Sequence, residues 1–151
     1  MITIDFSIMS NEKIVDYLLA HYDQLDAGDP VPYLKEMTLD GIADGSLAIE
    51  KRTEAFAIIE RANRSSTKHF GLCLKVNPEA NLMFLFVMPS ARKHGVGSEL
   101  LQEIQQQYME DQAMTVLCAG DSRKAFFERA GFRQNNKNHE GLYYMVCSAI
   151  K

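Results

Sequence analysis

Apolar residues recur at Ile14, Val15, Leu18, Leu19 and Tyr22, a period of about 3.6 that marks one face of a helix. Ser10 stands just ahead of them, and its hydroxyl suits an N-cap. The spacing predicts an amphipathic helix. Residues 23–32 read as a loop. Pro32 fits the first turn of a second helix that carries Leu34, Met37 and Ile42 inward. Ahead of both, Ile2-Thr3-Ile4-Asp5-Phe6 reads as a first strand.

The period then changes. Residues 55–59 form a short apolar run, and residues 61–68 a polar connector. Phe70, Leu72, Leu74 and Val76 alternate with His69, Gly71, Cys73 and Lys75, which predicts a half-buried strand. Asn77-Pro78-Glu79 is a turn signal. Residues 82–88 are apolar throughout, as in a central strand covered on both faces. Successive hairpins predict an antiparallel sheet up to this point. A helical stripe follows at Val96, Leu100, Leu101, Ile104 and Tyr108, then an apolar strand at 114–118. Strand, helix and strand in this order predict a parallel pair. Asp121 or Ser122 is placed to cap a further helix, and Gly131 to end it. Residues 132–135 and 142–147 predict a closing strand pair. The reading is α/β with a mixed sheet.

Composition narrows the functional classes. A chain of 151 residues fits one domain, residues 1–151, with a sizeable core. No apolar run reaches the roughly 18 residues that span a bilayer, and residues 1–11 lack the pattern of a signal peptide. No membrane role is expected. Cys73, Cys118 and Cys147 are odd in number and far apart, which predicts a reducing, cytoplasmic setting and neither a disulfide framework nor a metal site. The net charge of −4 does not support nucleic-acid binding.

The chemistry concentrates in Phe86-Val87-Met88-Pro89-Ser90-Ala91-Arg92-Lys93-His94-Gly95-Val96-Gly97-Ser98. A buried strand ends, the chain turns, and a helix opens near Gly97. The first N–H groups of a helix have no internal partner and lie at the positive end of its dipole. Glycines at 95 and 97 leave an anion room to approach them, and Arg92 and Lys93 add positive charge. The product is a phosphate cradle. It is not a P-loop, because no Gly-Lys-Ser/Thr follows Gly95. It is not a dinucleotide fingerprint either, because Leu100 stands where a third glycine belongs.

This segment resembles the acetyl-CoA motif of the GNAT superfamily of acetyltransferases. Val87 and Pro89 match the strand end, and Arg92, Gly95 and Gly97 match the loop. A second stretch, Phe126-Phe127-Glu128-Arg129-Ala130-Gly131-Phe132, is similar to the family's Phe-Tyr-x-x-x-Gly-Phe. The resemblance implies a mostly antiparallel mixed sheet flanked by helices, with one parallel strand pair splayed at the cofactor cleft. It implies acetyl-CoA as co-substrate. Backbone at Phe86, Val87 and Met88 would pair with pantetheine, and amides from Lys93, His94, Gly95, Val96, Gly97 and Ser98 would hold the pyrophosphate. It also implies an amine acceptor on a small molecule or peptide, no metal, and a homodimer, as family members are often dimers.

The sequence departs from the family at several points. Phe127 occupies the position of the usual tyrosine acid; Phe126 and Phe127 read as core or pocket wall, and Phe127 is expected among the cofactor-binding residues. Gly120 and Arg123 replace a common asparagine and alanine, and residues 82–88 hold no glutamate. The catalytic groups stay unassigned. These departures motivate an alternative function, an acyl-CoA-binding sensor or regulatory protein with little catalysis.

Other residues have bland and sharp readings side by side. One of Tyr143 and Tyr144 should be core and the other can face the cleft, since strand neighbours point to opposite sides. Cys118 reads as a small hydrophobe rather than a nucleophile. His69 reads as structural. The carboxylates Asp23, Asp26, Asp29, Glu36, Asp40 and Asp44 read as a solvated acidic face, or as a field for a cationic acceptor.

Overall fold

The computed structural model describes residues 4–21, 34–61, 79–92, 94–110, 112–134 and 142–148. Helix α1 covers Asn11–Ala20, and the Ser10 hydroxyl accepts from the Lys13 N–H as its N-cap. Ile14, Val15 and Leu18 are buried, whereas Leu19 lies at the edge of the stripe and is partly exposed. Tyr22 and the loop 23–32 lie outside the described residues, as does Pro32. Helix α2 covers Leu34–Asp44. Thr38 and Gly41 are buried on it, while Met37 is 56% exposed, so the inward expectation for Met37 is corrected. One residue is about 100° of helix rotation, enough to carry Met37 off the buried face.

The first strand expected at 2–6 is also corrected where it is described. Phe6–Ile8 is a short 3-10 turn, held because the Asp5 carboxylate accepts the Ser7 N–H at 2.9 Å. Phe6 is buried there, edge-on to Tyr17, Phe56 and Phe86.

Six strands form one sheet among the described residues. They are β1 (Leu47–Lys51), β2 (Ala55–Glu60), β3 (Glu79–Val87), β4 (Ala113–Ala119), β5 (Arg133–Gln134) and β6 (Leu142–Cys147), in the order β1-β2-β3-β4-β6-β5. The β3–β4 pair is parallel and the others antiparallel. β1 was not legible in the sequence. The expected strand at 70–76 lies outside the described residues, and the antiparallel neighbour of β3 is β2. Glu79, expected in a turn, already belongs to β3.

Helix α3 (Val96–Tyr108) and helix α4 (Asp121–Arg129) complete the described elements. Leu100, Leu101 and Ile104 of α3 pack with Leu82, Leu85, Val116 and Met145 on one sheet face. Ile14 and Leu18 of α1 pack with Phe56, Ile58, Phe84 and Phe86 on the other. β3 is therefore covered on both faces, as its unbroken apolar run requires. Gly120, with φ 90°, is the N-cap of α4 in place of Asp121 or Ser122. The Asp121 carboxylate instead accepts the Tyr143 hydroxyl at 2.6 Å. Gly131 ends the helix with φ 98° and donates its N–H to the Glu128 carbonyl.

Candidate active site at the split between two parallel strands

A β-bulge opens the cleft. Ile58 pairs with Phe84 and Ile59 with Leu82, so Met83 has no partner on β2. A bulge bends its strand and increases the local twist. The consequence appears on the other side of β3, where parallel pairing with β4 stops at Leu82 and Val116. β3 continues to Val87 and β4 to Ala119, and beyond that point the strands diverge.

The loop after β3 sits at the mouth of this split. Pro89–Ala91 makes a 3-10 turn. Arg92 folds back so that its Nε donates to the Val87 carbonyl at 3.1 Å, tying the loop to the strand end. The His94 N–H donates to the Ala91 carbonyl at 3.3 Å, which engages it inside the turn. His94 itself is exposed, and Lys93 lies outside the described residues. Gly95 is the N-cap of α3, with φ 82° in the left-handed region, where a Cβ is unfavourable. The first i→i−4 bond of α3 runs from the Glu99 N–H to the Gly95 carbonyl at 2.9 Å. The amides of Val96, Gly97 and Ser98 precede it and belong to the helix turn that lacks internal acceptors.

A cavity of about 290 Å³ opens against these amides. Val87, Arg92, Gly95, Gly97 and Ser98 form one side, and Ser122, Arg123, Phe126 and Arg129 of α4 form the other. A Cβ on Gly97 would lie 3.1 Å from Val87 Cγ2 and 3.5 Å from Phe126 Cζ, so the bare glycine keeps this cradle open. Among the described residues the lining holds three arginines and no carboxylate, in a chain of net charge −4. Such a concave positive surface suits a phosphorylated ligand. Among the described residues no group of three or more His, Cys, Asp or Glu is placed to hold a metal.

Several sequence expectations resolve here. Phe127 is fully buried, edge-on to Phe126 and Phe132. It is core, and its neighbour Phe126 lines the cavity. Residues spaced i, i+4 and i+7 share a helix face, so Ser122, Phe126 and Arg129 turn together toward the cavity. That spacing was present in the sequence, but which face of α4 meets the cleft was not. Phe86 points away, stacked on Phe56 at 5.6 Å between ring centroids on the α1 side. Met88 accepts the Tyr17 hydroxyl on its sulfur at 3.4 Å. Tyr143 is buried and bound to Asp121, whose hydrogen bond, with burial, raises its pKa. Tyr144 is half-buried. Cys118 is buried and burial pushes its thiol up to about 11, which keeps it protonated and unreactive near neutral pH.

A family profile described as acetyltransferase (GNAT) domain matches residues 48–134, more than half of the chain. The chain belongs to the GNAT acetyltransferase family. Solved structures of the same fold include a protein described as histone acetyltransferase HPA2 and related acetyltransferase from Corynebacterium glutamicum, at 21% identity and TM-score 0.57, covering 92% of this chain and 91% of that one. PaiA N-acetyltransferase from Thermoplasma acidophilum, solved with coenzyme A, aligns at 13% identity and TM-score 0.56 over 94% and 81% of the two chains. The ribosomal-protein-S18-alanine N-acetyltransferase of Escherichia coli aligns at 16% identity and TM-score 0.54 over 88% of each chain. No curated protein sequence matches the chain. For this GNAT chain no described helix is long and apolar enough to cross a membrane.

Proposed function

We propose that this GNAT protein transfers the acetyl group of acetyl-CoA to an amine on a small molecule or peptide, in the cytoplasm. The observation that carries the reading is the arginine-lined cavity at the first turn of α3, which reaches Val87 at the end of β3, past the point where pairing with β4 stops. The fit is physical. Val96, Gly97 and Ser98 offer unengaged helix amides to a pyrophosphate, Gly97 leaves the space, and Arg92 is fixed beside it by the Val87 carbonyl. Beyond Leu82 the β4-facing edge of β3 has no strand partner among the described residues, and an extended amide-bearing arm can pair with such an edge.

The transfer exchanges a thioester for an amide, with the amine losing a proton and the sulfur gaining one. Much of its acceleration can come from holding the two reactants together. Phe127 sits in the core with no proton to exchange, and Cys118 is buried with its thiol raised to about 11, so it does not serve as the base. Direct attack of the amine, with water or another side chain moving the proton, is the mechanism consistent with these residues.

Calorimetric titration with acetyl-CoA, followed by a CoA-thiol release assay over a broad set of amines, tests the reading. Micromolar binding and steady thiol release with one amine class are expected. The buried Phe127 favours a second reading, an acyl-CoA-binding sensor. Tight binding without turnover of any amine would select it, and failure to bind would remove both.

A further inference from the structure

The cavity has two walls, and only one belongs to the α3 amides. The other is the face of α4 carrying Ser122, Arg123, Phe126 and Arg129. The two α4 arginines stand at different depths. Arg123 is half-buried, and its NH1 donates to the Ala119 carbonyl at the end of β4, at 3.2 Å. Arg129 closes the last turn of α4 and is exposed. It forms no ion pair among the described residues.

An acetyl-CoA molecule has its own order of groups. The thioester end must reach the split between β3 and β4, the pyrophosphate follows, and the adenosine with its 3′-phosphate is outermost. A phosphate monoester carries about −1.5 to −2 charge near pH 7, so the outer group needs its own cation. Guanidinium is the side chain best shaped for it, through paired N–H donors.

Resting on the acetyl-CoA reading above, we propose that Arg129 is the specificity residue for the 3′-phosphate of the donor, while Arg123 faces the pyrophosphate across from the α3 amides. The α4 wall thereby selects 3′-phosphorylated CoA thioesters over dephospho forms.

The test is calorimetric titration of the intact protein with acetyl-CoA and with 3′-dephospho-acetyl-CoA. The wild-type chain should prefer acetyl-CoA by about tenfold or more, the scale of one charge-assisted contact. Arg129→Gln should weaken acetyl-CoA to the dephospho level and leave the dephospho affinity unchanged. Arg129→Lys should keep part of the preference. Arg123→Gln should weaken both ligands alike and keep their ratio. Arg133→Gln removes the same charge from the exposed strand β5 and should change neither affinity nor ratio. Equal affinity of the wild type for both thioesters would overturn the proposal and leave the acetyl-CoA reading standing. So would an Arg129→Gln protein that loses both ligands in parallel. Binding of neither thioester by the wild type would overturn the acetyl-CoA reading itself, and the proposal with it.

Discussion

A Cβ at Gly97 would lie 3.1 Å from Cγ2 of Val87. The first turn of α3 and the last residue of β3 are packed as closely as a glycine permits, at the point where the arginine-lined cavity begins. Gly97→Ala should overpack the contact by about 1–3 kcal/mol, offset in part by the roughly 1 kcal/mol that alanine gains over glycine in a helix, and weaken acetyl-CoA binding about tenfold or more as the cradle narrows. Val87→Ala in the same chain should restore part of the stability. Urea unfolding with calorimetry on the single and double variants measures both effects, and additive losses would show that the two residues do not meet.

Gly95 is constrained differently. Its φ of 82° lies in the left-handed region, yet nothing among the described residues lies within 4 Å of an added Cβ. Gly95→Ala should therefore destabilise by about 1–2 kcal/mol through backbone strain alone, and Gly95→Asn by less, since Asn tolerates this region. Urea midpoints of the two variants decide the matter. An alanine variant as stable as wild type would contradict the conformation.

Met83 is the extra residue that separates β3 from β4. Leu82 faces the α3 side and Phe84 the α1 side, so removing Met83 leaves every flanking side chain on its own face. The deletion should yield a folded protein whose regular pairing closes the split. Acetyl-CoA affinity should fall about a hundredfold, at least 2.7 kcal/mol, with a retained cooperative urea transition. Unchanged affinity would show that the bulge does not open the cleft.

Tyr108 sets a pH dependence. Burial first, and its 2.9 Å hydrogen bond to Glu50 second, raise its pKa to about 12. The unfolded value is about 10, so the folded state holds the proton more tightly. The resulting stability is complete below about pH 10 and declines as pH rises toward 12. Unfolding free energies measured across this window should fall in the wild type more steeply than in Tyr108→Phe.

Cys118 should resist alkylation in the native protein near pH 8 and react fully in urea, because it is both buried and protonated. Cys118→Ala should leave acetyl transfer unchanged. Loss of turnover in that variant would return the thiol to the chemistry.

The amino-acid sequence alone determined the elements with strong local signals. The stripe from Val96 to Tyr108 became α3 because its period matches the helix, and residues 82–87 became most of a doubly covered β3 because their unbroken apolar run suits a strand packed on both faces, with Met88 just past its end. The spacing of Arg92, Gly95 and Gly97 marked the loop that lines the cavity, since left-handed backbone and close approach are properties of glycine itself. What lies beyond local signal was decided by tertiary structure. The bulge at Met83 exists only relative to the β2 register. Thr38 rather than Met37 is buried because α2 docks at an angle that periodicity does not fix. The exchange of Phe127 for Phe126 at the cavity has the same origin. Two adjacent aromatic residues on one helix have equal reason to be buried. Only the packing of α4 against Phe132 and Val87 places one in the core and leaves the other beside the cleft.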